Sequence, residues 1–554
     1  MQRILLTTII TLFLVVTYAE VSAQEFQWLK QANSTDGESS SYIGGIAVDN
    51  VGNSYTVGAY RGNATFGNTI LNSGSSGKVF IAKHDQYGNA IWAKTIIDTN
   101  YDARSFDVAV DNSGNSYFVG NFKGTVSIGS FTLTSYGGWD IIIVKFNPEG
   151  NIVWAKHAGG PKNDAPSGVV IDSRGNPIVT GYFSENANFG STTLQTDRDN
   201  AKLFVAKYSG SGDLIWAKQA YGTGRSYGNG IATDKFDNIF ITGYFSNNLT
   251  IGSKTVTKTG TWSNDFFLAK LDAAGNTQWL VHNSGDQSKA VGHSVAVDAR
   301  GNVMVVGSFG GTPTFGNTTT LTANGLDSGF IAKYLPDGGF SWAKGFVAAV
   351  NSHSRMLSVA ADNFGNIYAT GEFSREILYG TSTLRTEDLS GIIFCRIDTD
   401  GNLIWLLNPE RDGWGGGYDI AIDAQGSIYF TGYFGSKMPI GNISISSIGH
   451  SDSYIAKILA ATPTGIKDNP LGSAFSVYPV PAHRYVYMDL SLNSLKDVKV
   501  QVIDLQGKVI YEKLYGQILS LSRDPLNLSE LPPSVYLLRI HIGDKVAYKQ
   551  LILQ

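Results

Sequence analysis

A tryptophan returns seven times along this chain, and its first copy stands ahead of the repeat that should contain it. The spaced residues are Trp28, Trp92, Trp154, Trp216, Trp279, Trp342 and Trp405, at intervals of 62 to 64 residues. An aspartate series keeps the same period: Asp49, Asp111, Asp172, Asp234, Asp298, Asp362 and Asp423, each closing an apolar run such as Ile46-Ala47-Val48. The two series are out of phase. The last aspartate unit runs out at Tyr454-Ile455-Ala456-Lys457 without meeting a tryptophan, while Phe26-Gln27-Trp28-Leu29-Lys30 stands unclaimed at the other end. Joining those pieces makes seven complete units, and a chain that finishes its last unit with its first strand closes a ring.

Self-similarity at a fixed period points to solenoids or propellers. Each unit holds four short apolar runs with strand character, such as Gly45 to Asp49, Ser54 to Tyr60, Val79 to His84 and Ala90 to Lys94. Gly-Asn pairs between them, Gly52-Asn53 and Gly88-Asn89, supply the positive φ of tight hairpins. No sustained helical period follows the N-terminal segment. Four antiparallel strands repeated radially describe a seven-bladed all-β propeller, and ring closure removes the raw sheet edges that an open stack exposes. The unit exceeds an ordinary blade by roughly 15 residues. The excess falls between strands two and three at Phe66-Gly67, Ile128-Gly129, Phe189-Gly190, Ile251-Gly252, Phe315-Gly316, Tyr379-Gly380 and Ile440-Gly441, and reads as a small added hairpin. The pattern I-A-V-D-x-x-G-N-x-Y-x-x-G-x-F, followed by F-I-A-K and W-A-K, resembles the bacterial propeller repeats called SBBP. That resemblance implies a fold and little about activity.

Both ends speak of export. Arg3, the apolar run Ile4 to Val16 and Val21-Ser22-Ala23 form a signal peptide expected to be cleaved after Ala23. The propeller is expected over residues 24–459 and a linker over 460–474, around Pro463 and Gly465. Residues 475–554 break the period and read as some seven short strands of an Ig-like β-sandwich. Val477-Tyr478-Pro479-Val480-Pro481-Ala482, Ile503-Asp504-Leu505-Gln506-Gly507-Lys508, Leu526 to Pro532 and Val535-Tyr536-Leu537-Leu538-Arg539-Ile540 resemble the type A C-terminal sorting domain of the type IX secretion system of Bacteroidetes. The motif positions are Pro479, Pro481, Asp504, Gly507, Leu531 and Tyr536. The resemblance implies passage to the cell surface or the medium, with the secretion machinery as a partner.

Charge excludes other partners. Forty-two basic against forty-six acidic residues, with no long run of either sign, give no basic face for nucleic acid or anionic membrane. The mature chain carries no second long apolar segment, and a monomer is expected. Its single cysteine, Cys395, lies in a strand-three run and reads as a packing residue.

The repeated residues read as scaffold. Aspartates beside hairpins cap turn amides; Asp398-Thr399-Asp400-Gly401-Asn402 begins like a calcium loop but lacks its third carboxylate and distal glutamate. Strand-three cations (Lys83, Lys145, Lys207, Lys270, Lys333, Arg396, Lys457) suit pairing with those aspartates or stem packing between blades. Glycine–aromatic pairs in strand two, such as Gly58/Tyr60, are expected to make room for a neighbouring blade's ring. No cofactor or metal site is expected, and His282, His293 and His353 match no compact ligand motif.

Function then belongs where the repeats disagree. The loops from strand four to strand one share a face with those from strand two to three. The candidate ligand-binding residues there are Arg104, Trp139, Asp164, Arg225, Tyr227, Trp262, His293, His353, Arg355, Arg411 and Trp414. Aromatics among Asp, Asn and Arg suit sugar rings, so a secreted or surface binding and adhesion protein for glycan or protein ligands is the leading reading. An exported polysaccharide-active hydrolase or lyase is the alternative; hydrolysis needs two carboxylates about 5 to 9 Å apart, with Asp36, Glu38, Asp102, Asp164, Asp286, Glu410 and Asp412 as candidates. A purely structural layer component is a third.

Overall fold

The structure, a computed structural model, describes residues 26–34, 40–74, 77–97, 107–196, 200–262, 264–409, 413–440, 443–447, 451–458, 475–478, 484–504, 508–532, 534–543 and 545–553. The expected signal peptide and linker lie outside them.

Each unit folds into one antiparallel sheet with its strands in chain order. In the first, these are Ser40–Val48, Ser54–Arg61, Lys78–His84 and Ala90–Ile97. The last sheet runs Gly415–Ile422, Ile428–Phe434, Asp452–Ile458 and then Phe26–Ser34, taken from the other end of the chain. Trp28 faces Lys457 and Leu29 faces Ala456 in that register. Seven four-stranded sheets result among the described residues. The first strand of each packs on the first strand of the next, from Ser40–Val48 round to Gly415–Ile422 and back. The fold is an all-β propeller. Its middle strands are covered on both sides by neighbouring sheets, which is why Lys202–Tyr208 and Gly391–Ile397 are buried at every position rather than alternately.

The conserved period maps onto contacts between sheets. Asp49 Oδ1 accepts the amides of Val51 and Asn53, and Oδ2 accepts the Asn53 side-chain amide. The Tyr55 hydroxyl lies between Asp49 and the Gly114 carbonyl of the next sheet. Asp111, Asp172, Asp234, Asp298, Asp362 and Asp423 cap their turns in the same way. At the outer hairpin, one carbonyl of the next sheet serves two donors. Gly210 accepts from Lys145 Nζ at 2.9 Å and from Trp154 Nε1 at 3.1 Å. Lys83 and Trp92 converge on Pro148, Lys270 and Trp279 on Pro336, Lys333 and Trp342 on Thr399, and Lys457 and Trp28 on Gln86. The ammonium groups of Lys83, Lys145 and Lys457 also sit over Tyr55, Tyr117 and Tyr429 at about 5 Å. Lys207 adds a buried ion pair to Asp172 at 2.8 Å.

The expected insert is a hairpin in every unit, for example Asn63–Phe66 with Thr69–Asn72. It packs outward onto the preceding sheet: Asn33 pairs Thr65, and Val347 pairs Leu378. The outermost strand therefore has part of its free edge covered, which blunts edge-to-edge association.

One expectation is corrected. The strand-two glycines do not make room for a neighbour's ring. A Cβ on Gly58 would stand 1.9 Å from the Tyr42 carbonyl of its own sheet, and Gly181, Gly243, Gly307, Gly371 and Gly432 meet the equivalent carbonyl. Each lies opposite a bulge in strand one, between Ile43 and Gly45 in the first sheet. The extra residue pushes the backbone inward, and only glycine leaves space for it.

Beyond the propeller, five strands among the described residues, rather than some seven short ones, form the C-terminal sheet. Two of them, Tyr485–Ile503 and Val509–Asn527, are 19 residues long. Register shifts at Met488/Leu490, Ser491/Lys496 and Val498/Lys499 let each bend and continue, so one strand reads in sequence as two. Val486, Met488, Val500, Val502, Leu538 and Ile540 form its core.

Trp28 is 8% exposed and packs edge-on to Tyr429. Trp28→Ala should cost about 3–5 kcal/mol, as for an internal core aromatic. Denaturant melts of the mature protein, with Trp154→Ala alongside and Thr462→Ala as a near-neutral control, check this. A Trp28→Ala melt matching wild type would mean that the first strand does not hold the ring.

Candidate functional site

Strand one begins and strand two ends at the same end of each sheet, so residues there face one another across the two strands. Tyr227 faces Tyr244 across one such pair. Their rings stack at 4.8 Å and 16°, with Tyr182 of the preceding sheet 4.7 Å from Tyr227. A second cluster comes from the last and first sheets. Trp414 and Tyr418 lie 5.3 and 5.1 Å from Tyr433, and Tyr42 lies 6.4 Å from Tyr418. The first cluster belongs to sheets three and four and the second to seven and one, so they stand on opposite sides of the axis.

A charged sector lies between them on sheets five and six. Arg355 reaches Asp327 at 3.6 Å and Glu372 at 3.9 Å, and Lys289 meets Asp327 at 2.6 Å. These pairs are partly exposed and add little stability, but they fix orientation. His293 Nε2 pairs with the Ser308 hydroxyl at 3.0 Å. Burial, aided by the Arg355 charge, brings its pKa down to about 4, so its ring is neutral at physiological pH.

The remaining candidates divide. His353 Nδ1 bonds Ser374 at 3.1 Å. Arg225 is exposed near the tyrosine stack, its amide donating to Ser246 Oγ. Trp262 is 43% exposed, its ring edge against Gly311. The backbone of Trp139 is tied to Asn163 and Asp164, and its side chain is half-buried. Asp164 is fully buried, with the amides of Gly160 and Ser184 on its two oxygens, and burial pushes its pKa up to about 7. It holds its own loop. Arg104 and Arg411 lie outside the described residues, as do the carboxylates Asp36, Glu38, Asp102, Glu410 and Asp412.

Two groups escaped the sequence reading. Tyr182, Tyr244 and Tyr433 sit between the repeated glycine and the repeated ring of strand two, where other units carry Ala59, Asn121, Ser308 and Glu372. That variable slot inside an invariant frame was the available signal. Asp107 and Asp419 occupy a column filled elsewhere by Gly45, Gly168, Gly230, Ser294 and Ser358. Asp107 Oδ2 accepts the Val169 amide, and Asp419 Oδ2 accepts the Ile46 amide, each from the next sheet at 2.8 Å. The Ser358 hydroxyl donates to Asp419 Oδ1 at 2.7 Å. Burial raises both pKa values, and the Asp419 charge raises that of Asp107 further.

Among the described residues, no three His, Cys, Asp or Glu side chains gather as a metal site, and no helix is long and apolar enough to cross a membrane. The Cys395 thiol is buried and faces the Ala369 carbonyl, and burial pushes its pKa up to about 12, leaving it inert. A recess of about 580 Å³ opens at the hairpin end between sheets two, three and four, but its lining aspartates Asp111, Asp172 and Asp234 already cap turns.

In the C-terminal domain, Asp504 Oδ1 caps the Lys508 amide at 2.9 Å, the Leu531 amide closes a turn on Leu528, and the buried Tyr536 hydroxyl donates to the Pro532 carbonyl at 2.7 Å. Pro479, Pro481 and Gly507 lie outside the described residues.

Residues 476–554 match the secretion system C-terminal sorting domain, and residues 215–249 match the β-propeller repeat called SBBP. An uncharacterized WD repeat-containing protein, L264 of Acanthamoeba polyphaga mimivirus, is 23% identical over 467 residues, covering 69% of this chain. The chain spans 33% of that relative's length. Distant structural likenesses include Sqt1 from Chaetomium thermophilum (TM-score 0.37, 10% identity, 78% of this chain and 100% of that one) and a PL25 ulvan lyase bound to a -[GlcA(1-4)Rha3S]- ligand (TM-score 0.37, 8% identity, 73% and 93%).

Asp107, Asp140, Asp164 and Asp419 all have raised pKa values, to about 6 for Asp140 and about 7 for Asp164. An unfolded aspartate titrates near 3.9. Between about pH 4 and 7 these aspartates therefore bind more protons in the native state, and their contribution to stability falls as pH rises, whereas His84 and His293, lowered to about 4 by burial, act in the opposite sense below about pH 6.5. The melting temperature should fall from about pH 6.5 to pH 8, above the histidine window, with a shallower slope for Asp107→Asn. An unchanged slope in that variant would show that Asp107 contributes nothing to it.

Proposed function

We propose that this SBBP-type propeller protein, exported to the cell surface or the extracellular space through its type IX sorting domain, binds glycan there. The signal peptide over residues 1–23 and the linker over 460–474 complete that reading. One observation supports it most: two aromatic clusters, on sheets three and four and on sheets seven and one, stand on opposite sides of the ring, with a polar and charged sector on sheets five and six between them. Sugar rings offer apolar faces for stacking and hydroxyls for hydrogen bonds, and Tyr, Trp and Arg are side chains that anchor interfaces at small entropic cost. A chain of several sugars lying across the ring would stack on Tyr227 and Tyr244 at one end and on Trp414 and Tyr433 at the other. Ser308, His293 and Arg355 would meet hydroxyl groups between them. The Asp327 and Glu372 carboxylates beside Arg355 favour a polar over a strongly anionic ligand at that sector.

Glycan-array binding of the mature protein tests this. Tyr227→Ala and Trp414→Ala should each weaken capture by roughly five- to thirtyfold, the scale of about 1–2 kcal/mol for an interface anchor. Neither should change the melting temperature as Trp216→Ala does. Equal destabilisation by all three would make the clusters packing residues. Turnover of a bound polysaccharide, abolished by a loop carboxylate change with folding intact, would favour the enzyme instead.

Export has its own test. Removing residues 475–554 should leave the chain in the periplasm. Normal amounts of truncated protein in the medium would count against the role of the sorting domain.

A further inference from the structure

Among the described candidate residues, one cation has no counter-charge. Arg355 lies between Asp327 and Glu372, and Lys289 also meets Asp327. Arg225 is exposed and meets no carboxylate among the described residues. It stands just ahead of the strand Ser226–Thr233, two residues before Tyr227. Side chains two apart along a strand point to one face, so Arg225 shares the face of Tyr227 and of Tyr244 opposite it. Burial raises the pKa of both phenols and the Arg225 charge opposes it, so the guanidinium stands near hydroxyls that stay protonated. Those hydroxyls are free to act. Scaffold tyrosines such as Tyr55, Tyr117, Tyr368 and Tyr429 donate to the turn aspartates of their own sheets. The hydroxyls of Tyr182, Tyr227 and Tyr244 have no protein partner among the described residues, although their half-buried rings pack together. Asp164, whose charge reaches Tyr182, is fully buried with both oxygens accepting amides.

The loop that presents Arg225 is fixed in place. The buried Lys202 ammonium donates to the carbonyls of Gly222, at 2.6 Å, and Gly224. The Thr223 hydroxyl bonds Asn248 at 2.7 Å, and the Arg225 amide bonds Ser246 Oγ at 2.8 Å. Lys202 stands at the strand position where sheets two, four and seven carry Asp140, Asp265 and Asp452, so the clamp belongs to this corner of the ring. Donors held in place before a ligand arrives lose little entropy when it binds. One guanidinium and three phenol hydroxyls make a set of donors whose missing partner is an anion. We infer that this corner of sheets three and four selects an acidic sugar, its carboxylate or sulfate held by Arg225 and the tyrosine hydroxyls. The inference rests on the glycan-binding reading above and names the class of glycan. The negative group lies at this end of the bound chain, while the sector around Arg355 meets neutral hydroxyls.

Glycan arrays carrying matched pairs test this: uronic acid oligomers beside their methyl esters, and sulfated oligomers beside their desulfated forms. The full mature protein and its Arg225→Gln variant are compared on them. The acidic member of a pair should be held about tenfold or more tightly than its neutral partner. Arg225→Gln should remove that preference and leave neutral binding within about twofold, because the stacking rings are untouched. Tyr227→Ala should weaken both members of the pair. The pairs that respond separate carboxylate from sulfate. Arg225 is exposed, so an unchanged melting temperature confirms that the variant is folded. Glycans held without regard to charge, or an acid preference that survives Arg225→Gln, would overturn the inference and leave glycan binding standing. Retention of no glycan of either kind would remove the glycan reading itself, and this inference with it.

Discussion

At five of the seven interfaces of this ring, a single carbonyl oxygen shared by an indole N–H and a lysine ammonium ties one sheet to the next. Several of the repeated residues serve that contact or the turn that presents it. The aspartate fixes the inner hairpin, the glycine of the outer hairpin lets the indole lie flat on the backbone, and the tyrosine carries the lysine charge on its ring face. At Gly150 a Cβ would stand 2.9 Å from the Trp92 ring, so the left-handed glycine is needed for its conformation and for its lack of a side chain. At Lys83, Lys145, Lys333 and Lys457 the charge-assisted bond is partly buried, where such bonds are stronger than exposed ion pairs.

Much of this was legible in the sequence because a sevenfold repeat states each requirement seven times. The phase offset between Trp28 and the aspartate series gave the closing strand, and the Phe66-Gly67 copies gave the inserted hairpin. The strand-two glycine was misread because a bulge leaves no residue-type signature of its own: Ile43, Pro166, Gly228, Gly292, Met356 and Gly417 share no chemistry, yet each pairs with the glycine where the bulge begins. The long C-terminal strands were divided for the same reason. A strand that bends through a bulge looks like two strands and a turn.

The candidate face was legible only in part. Tyr227, His293, Arg355 and Trp414 were visible as departures at loop ends, where variation is easy to see. Tyr182, Tyr244 and Tyr433 stand inside a strand between two fixed residues, and the frame hid them. Asp164 shows the opposite error: a variable polar residue in a loop turned inward to hold amides that the loop's own backbone leaves unpaired. Burial, which decides between these cases, follows from strand parity for the tyrosines and from loop conformation for Asp164, and only parity can be counted from sequence.

The seam lacks a covalent link that the other sheets have. Six sheets have strands three and four joined by a short hairpin; the seventh does not, and the chain's one cysteine excludes an internal disulfide to replace it. Closing a loop of several hundred residues costs only about 0.6 kcal/mol more for each doubling of its length. The long closure is therefore affordable if local contacts hold the ends. They do so at three radii. Asp419 takes the Ile46 amide beside the axis, Ser41 and Ser453 pair their hydroxyls at 3.1 Å, and the Ser41 amide reaches the Ser451 carbonyl. Farther out, Phe26–Ser34 is paired on both edges, with Asp452–Ile458 on one side and the first sheet's added hairpin on the other. The strand is held by the Asp452–Ile458 ladder from Phe26 to Ala32 and, at its Asn33–Ser34 end, by the first sheet's hairpin as well, so release of the whole strand breaks two ladders.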